Sequence, residues 1–173
     1  MKLLGKTALV TGGGTGIGQA IAKAFADEGA NVVITGRRAD KLRQSLADLG
    51  DSDRVRLFAA DVAEREEVNA LVEWTNQTFG QIDILVNNAG VNVVKRQVAE
   101  LSPESWDLIL NVGATGVFNT IHAVLPQMRT RHDGLIILVS SLAGVRPSSL
   151  GGAAYSAAKH AANALMKVLA VEE

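Results

Sequence analysis

The sequence predicts an α/β fold, an open and doubly wound parallel sheet in three layers, formed by residues 1–173 as one domain. Three observations lead there. Short, continuous apolar runs alternate along the chain with longer stretches of helical periodicity. The runs are apolar throughout rather than at every second residue, as required when helices cover both faces of a parallel sheet. No internal repeat, low-complexity segment or linker divides the alternation, and right-handed crossovers then give the doubly wound arrangement.

Each element follows in turn. Thr7 to Thr11 (TALVT) reads as a buried strand. After a glycine-rich turn, Ala20, Ile21, Ala24 and Phe25 recur at helical spacing until Gly29 closes the helix. Asn31 to Thr35 is a second strand and Asp40 to Leu49 a second helix. Val55 to Ala60 is a third strand, ending at Asp61; Glu64 to Phe79 is a third helix, stopped by Gly80. Ile82 to Val86 is a fourth strand, leading into Asn87-Asn88-Ala89-Gly90. A fourth helix opens with Ser102 as N-cap and Pro103 at the first helical position. It runs towards Arg131, with Gly113, Gly116 and Pro126 as points of disturbance. Leu135 to Val139 is a fifth strand, and Ala154 to the end a fifth helix.

Composition excludes several function classes. The net charge is −1 and no long basic run occurs, so bulk electrostatics point to no nucleic-acid partner. The absence of cysteine removes disulfides, thiolate metal sites and thiol nucleophiles. His122, His132 and His160 lack metal-ligand spacing with nearby carboxylates, so no metal is expected. Trp74 and Trp106 fall within helices and read as packing residues. The first residues are broken by Gly5 and Lys6 and resemble no signal peptide. No run approaches the roughly 18 consecutive apolar residues of a membrane span. No membrane partner is expected, and the cytoplasm is the default location.

The turn Thr11 to Gly18 (TGGGTGIG) joins a strand to a helix. A helix N-terminus offers unpaired N–H groups and a partial positive charge to phosphate, and glycine lets the backbone approach closely. Gly12, Gly16 and Gly18 have the spacing G-x-x-x-G-x-G; no G-K-[ST] follows, so the nucleotide-hydrolase loop does not fit. The turn reads as a dinucleotide site, the alternative being a tight turn without a ligand. A carboxylate about 20 residues later would select NAD. Arg37 and Arg38 stand there instead. Guanidinium groups suit a 2′-phosphate, and cations at the start of a helix oppose its dipole, so local stability does not call for them. NADP is favoured over NAD, the alternative being two surface arginines.

Tyr155 and Lys159 form Y-x-x-x-K, four apart on one helical face. Tyrosine ionises near pH 10 and is a poor acid–base group until a neighbouring ammonium favours its phenolate. A strand-end hydroxyl, Ser141 or its neighbour Ser140, can polarise a substrate oxygen. Alone, such a pair is commonly a helix-surface accident.

Taken together, TGGGTGIG, NNAG, Asn111, Ser141 and YSAAK, in this order and spacing, resemble the short-chain dehydrogenase/reductase family, from Gly5 onward. The resemblance implies Rossmann-type topology with the five strands in the order 3-2-1-4-5. It implies that Gly12, Gly14, Thr15, Gly16, Ile17 and Gly18 line the pyrophosphate. Asp61 and Val62 would contact adenine, and Asn88, Ala89 and Gly90 the adenosine ribose. Tyr155 would be the acid in reduction and the base in oxidation. Lys159 would bind the nicotinamide ribose, Ser141 would orient the carbonyl or alcohol, and Asn111 would hold a water in a proton relay. The family pattern selects Ser141 over Ser140.

The implied activity is NADP-dependent interconversion of a small-molecule alcohol and carbonyl. A homodimer or homotetramer is implied, with Ala157, Ala158, Ala161 and Ala162 permitting close helix approach unless they face the chain's own sheet. The family pattern continues beyond Glu173 with two more strands and a substrate-closing loop, so the fifth strand is expected to form an open edge. Other readings of the chain are a non-catalytic dinucleotide-binding module and an inactive fragment of a longer reductase.

Overall fold

A computed structural model describes residues 1–50 and 53–173. Five parallel strands form one sheet in the order β3-β2-β1-β4-β5. They are β1 (Thr7–Thr11), β2 (Asn31–Gly36), β3 (Val55–Ala59), β4 (Ile84–Asn87) and β5 (Leu135–Leu138). The helices are α1 (Gly16–Asp27), α2 (Ala39–Asp48), α3 (Arg65–Phe79), α4 (Pro103–Leu110), α5 (Gly116–Arg131) and α6 (Ala153–Glu172).

The continuous apolar runs behave as two-sided strands. In β1, Leu9 packs into one core with Leu71 of α3, Ile121 of α5 and Leu169 of α6. Its neighbours Ala8 and Val10 turn the other way, towards Ala22 of α1 and Leu42 of α2. β2 and β4 divide alike, Val33 and Leu85 to the first core, Ile34 and Val86 to the second. Fully burying each large side chain contributes about 1.5–3 kcal/mol, so these central strands carry much of the core's stabilisation. Their carboxyl ends all point to one edge of the sheet, where the loops gather.

Boundaries differ from the sequence expectation in a few places. β4 begins at Ile84 rather than Ile82, because the Ile82 N–H donates to the Gln127 side chain at 3.1 Å instead of to a strand. The helix expected from Ser102 towards Arg131 is interrupted by a π-helical turn, Asn111–Thr115, between α4 and α5. Gly113 and Gly116 permit it: a Cβ on Gly116 would lie 2.6 Å from Val62 Cγ2, and one on Gly113 3.0 Å from Ala158 Cβ. Pro126 sits inside α5 without ending it. The start is as expected, Ser102 Oγ accepting from the Ser105 N–H at 3.2 Å with Pro103 in the first turn.

Among the described residues, one helical stretch within Pro103–Arg131 is long and apolar enough by composition to cross a membrane. Half of it is buried in this fold, as in a core helix. Ala158 and Ala162 face the chain's own core, each 1% exposed, so of the four alanines only Ala157 and Ala161 are left towards the outside.

Candidate active site

Two clefts open side by side at the carboxyl edge of the sheet. The first is a groove lined by Gly12, Gly14, Thr15, Gly16 and Ile17 of the glycine turn, by Arg37 and Arg38 after β2, by Val62, and by Asn88, Ala89 and Gly90 after β4. The second is lined by Ser141, Tyr155 and Lys159, with Asn92, Leu142 and Leu150. Ile17, Asn88 and Gly90 line both, so the clefts meet there.

The groove is built to receive phosphate. Gly12 and Gly16 have φ of +65° and +59°, which L side chains rarely adopt. Gly18 lies so close to the Gly12 carbonyl that a Cβ would collide with it. The turn is pinned from three sides. Gly13 N–H donates to Thr35 O at 3.1 Å, Ser45 Oγ donates to Gly13 O at 2.9 Å, and Asn88 Nδ2 donates to Thr11 O at 2.9 Å. Thr11 Oγ1 in turn accepts from the N–H groups of Asn88 and Ala89, both at 3.0 Å. Asn88 is therefore a brace for the turn as much as a wall of the groove. Thr15 caps α1 without a side-chain hydrogen bond, and no acidic residue stands in the first turn. The first N–H groups of α1 remain free to bind an anion.

The cations of the groove are unequally placed. Arg37 Nη1 lies 3.7 Å from Asp61 Oδ2. Asp61 is not among the groove-lining residues; its Oδ1 accepts from the Ala63 N–H at 3.0 Å. Arg38 is joined by Lys41, which also lines the groove and which sequence reasoning missed. Its signal was available, three residues after Arg38 in the first turn of α2. The donor set of free helix N–H groups and three cations fits the phosphates of a dinucleotide.

In the second cleft, α6 presents Tyr155 and Lys159 one turn apart. Lys159 is 5% exposed, and its Nζ donates to Val139 O at 2.7 Å and lies 5.8 Å from the centre of the Tyr155 ring. Burial pushes its ammonium below the usual lysine range. Ser141 Oγ accepts from the Ala143 N–H at 3.2 Å, so its own proton stays free to donate. Ser140 has no such freedom, since its hydroxyl donates to Asn163 Oδ1 at 2.7 Å. The chemistry of the two hydroxyls thus favours Ser141 as the donor to a ligand.

Asn111 begins the π turn, is exposed, and is not among the residues lining the second cleft. The π turn carrying it packs on α6 through Gly113 and Ala158, which keeps Asn111 on the segment beside Lys159 without placing it in the cleft. Gly18, buried under the turn, likewise shapes the groove without lining it.

The comparisons with known proteins agree with this architecture. Residues 6–173 match the short chain dehydrogenase family. The chain is 40% identical over 171 residues to D-beta-hydroxybutyrate dehydrogenase of Cupriavidus necator, covering 98% of this chain and 66% of that protein. Among solved structures it resembles a metagenomic short-chain oxidoreductase in complex with NADP, with TM-score 0.91 and 35% identity, over 99% of this chain and 77% of that one. It also resembles levodione reductase, with TM-score 0.92 and 31% identity, over 98% of this chain and 67% of that one.

Proposed function

This chain belongs to the short chain dehydrogenase family, and from that premise we propose that it carries the machinery of an NADP-dependent oxidoreductase that interconverts an alcohol and a carbonyl. The observation that carries this reading is the buried Lys159 beside Tyr155, on the wall of a cleft shared with Ser141 and continuous with the glycine groove. A pure binding module needs no such acid–base group.

The α1 N-terminus, with Gly12, Gly14, Thr15, Gly16 and Ile17, holds the pyrophosphate; Arg37, Arg38 and Lys41 meet the 2′-phosphate. Val62 would flank the adenine, with Asp61 behind it as the partner of Arg37, and Asn88 to Gly90 would meet the adenosine ribose. The cofactor, when bound, would give the hydride as NADPH in reduction and take it up as NADP⁺ in oxidation. Ser141 donates a hydrogen bond to the substrate oxygen and orients it. Tyr155 gives its phenolic proton to that oxygen in reduction and takes one back in oxidation. Lys159 stabilises the charge that develops on the phenolic oxygen as the proton leaves, and its remaining N–H donors hold the nicotinamide ribose. Asn111, at the start of the π turn beside α6, would offer a polar group to a relay water.

The cofactor reading is tested by steady-state kinetics, which should give a KM for NADPH well below that for NADH. Equal values, or a lower one for NADH, would overturn it. The chemistry is tested by Tyr155→Phe, which should lose turnover while binding NADPH. Assembly as a homodimer or homotetramer through the outer face of α6, at Ala157 and Ala161, is checked by light scattering.

A further inference from the structure

α6 grips the loop that carries Ser141 at two further points, both made by one side chain. Asn163 Oδ1 accepts from the Ser140 hydroxyl at 2.7 Å, and Asn163 Nδ2 donates to Gly144 O at 2.9 Å. The two anchors stand on either side of Ser141. They also fix the amide's orientation, because the Gly144 carbonyl can only accept. Gly144 is needed for this approach: a Cβ there would lie 2.7 Å from Asn163 Nδ2 and 2.9 Å from Lys159 O. Between the anchors, Ser141 caps its own 3-10 turn (Leu142–Gly144) through the Ala143 N–H, so serine and turn move as one body. Asn163 itself does not line the cleft.

We propose that Asn163 is a positioning residue that places the Ser141 hydroxyl against Tyr155 and withdraws the Ser140 proton from competition. The proposal rests on the reading that Ser141 and Tyr155 act on the substrate oxygen. One planar amide, one turn beyond Lys159, ties the hydroxyl donor to the same helix that carries the proton donor. The relative placement of the two catalytic groups then depends on α6 alone.

The test uses Asn163→Leu, which keeps the branched outline with the same number of heavy atoms and removes both hydrogen bonds, and Asn163→Asp, which keeps the acceptor for Ser140 and loses the donor. Each is made in the parent protein and in Ser141→Ala. Reduction of acetoacetate and ethyl acetoacetate by NADPH gives kcat and KM, NADPH fluorescence gives the dissociation constant, and hydrogen exchange reports on residues 140–145. In the parent background Asn163→Leu should lower kcat by about tenfold to a hundredfold, the scale of an ångström-level misplacement, while leaving NADPH affinity intact. Asn163→Asp should fall between. In the Ser141→Ala background Asn163→Leu should lower kcat no further, because the group it positions is gone. Exchange at residues 140–145 should quicken in Asn163→Leu and remain unchanged in β1.

An unchanged kcat, or the same loss in both backgrounds, would overturn the proposal. The function reading fails separately, through near-normal turnover of Tyr155→Phe. If neither ketone is reduced, the exchange arm still decides: unaltered exchange at residues 140–145 sinks the clamp.

Discussion

The two ends of the sheet each bury one charge, and they treat it in opposite ways. At the amino end, Asp83 is 3% exposed just before β4. Its Oδ2 accepts from the Thr7 N–H at 2.8 Å and its Oδ1 from Gln81 Nε2 at 2.6 Å. Lys6 Nζ and Arg131 Nη2 stand 3.9 and 4.0 Å away. Every oxygen has a donor, and two cations balance the charge. At the carboxyl end, Lys159 is 5% exposed and has a single carbonyl partner, Val139 O. Among the described residues no carboxylate lies within ion-pair range of it. A buried charge is costly unless it is paired and hydrogen-bonded. Asp83 satisfies that demand inside the protein and acts as a joint between β1 and β4. Lys159 leaves two N–H donors and a full charge to be met by something else. The same residue class, a buried ion, has a complete partner set at one end and an incomplete one at the other, and that difference is what the proposed chemistry at Lys159 rests on.

Substitutions sharpen that contrast in decreasing order of effect. Tyr155→Phe should cut turnover by about 10²–10⁴-fold, the contribution of a positioned acid–base group, while NADPH binding by fluorescence stays measurable. Full turnover would mean that the carboxyl end is as structural as the amino end. Asp83→Ala should leave the Thr7 N–H without its partner and cost about 1–3 kcal/mol in urea unfolding, with little change in the KM for NADPH. A normal denaturation midpoint would remove Asp83 from its role as a joint. Lys159→Met should melt no lower than the parent, since an apolar replacement for an incompletely paired buried ion is often neutral or stabilising.

The smallest effect is in pH. Burial holds the Lys159 ammonium below the ordinary value of 10.5, which the unfolded chain keeps. Below the lowered value both states are protonated and the cost of burial is fully present. As pH rises from there towards 10.5, the unfolded chain binds more protons than the folded one, and stability climbs. Thermal melts should show this rise in the parent relative to Lys159→Met. Parallel curves would show that the ammonium is not strained.

The parts legible in the sequence are those whose reason is local. The glycine turn is visible because positive φ and close backbone approach restrict residue type at Gly12 and Gly18. The strands are visible because burial on both faces forces apolar runs, and the central strand order followed from the family resemblance. Lys41 stood three residues after Arg38 and was missed because its reach into the groove shows only once β2 has placed the first turn of α2 beside Gly14. Asn163 was missed for a similar reason. An asparagine in mid-helix is unremarkable until the 3-10 turn of another element brings up a buried carbonyl, Gly144 O, that needs a donor. Asn111 was legible as a motif residue inside a helix, but the π turn it begins was not, because that turn is set by what the glycines at 113 and 116 allow to approach.

That turn has a consequence best put as phase. A helix advances about 100° per residue, and its buried positions therefore recur at steps of three or four. From α4 into α5 the buried apolar residues are Ile109, Val112, Val117, Ile121, Val124 and Met128, with one step of five across the π turn. The extra residue turns the rod on its own axis. Upstream, Ile109 packs with Ala154 and Ala158 near the start of α6. Downstream, Val117, Ile121 and Val124 pack with the sheet residues Leu9 and Leu85. One continuous rod thus serves two neighbours lying in different directions. Removing a single residue between Asn111 and Thr115 would set both halves in step and leave one of those neighbours facing the wrong side of the helix.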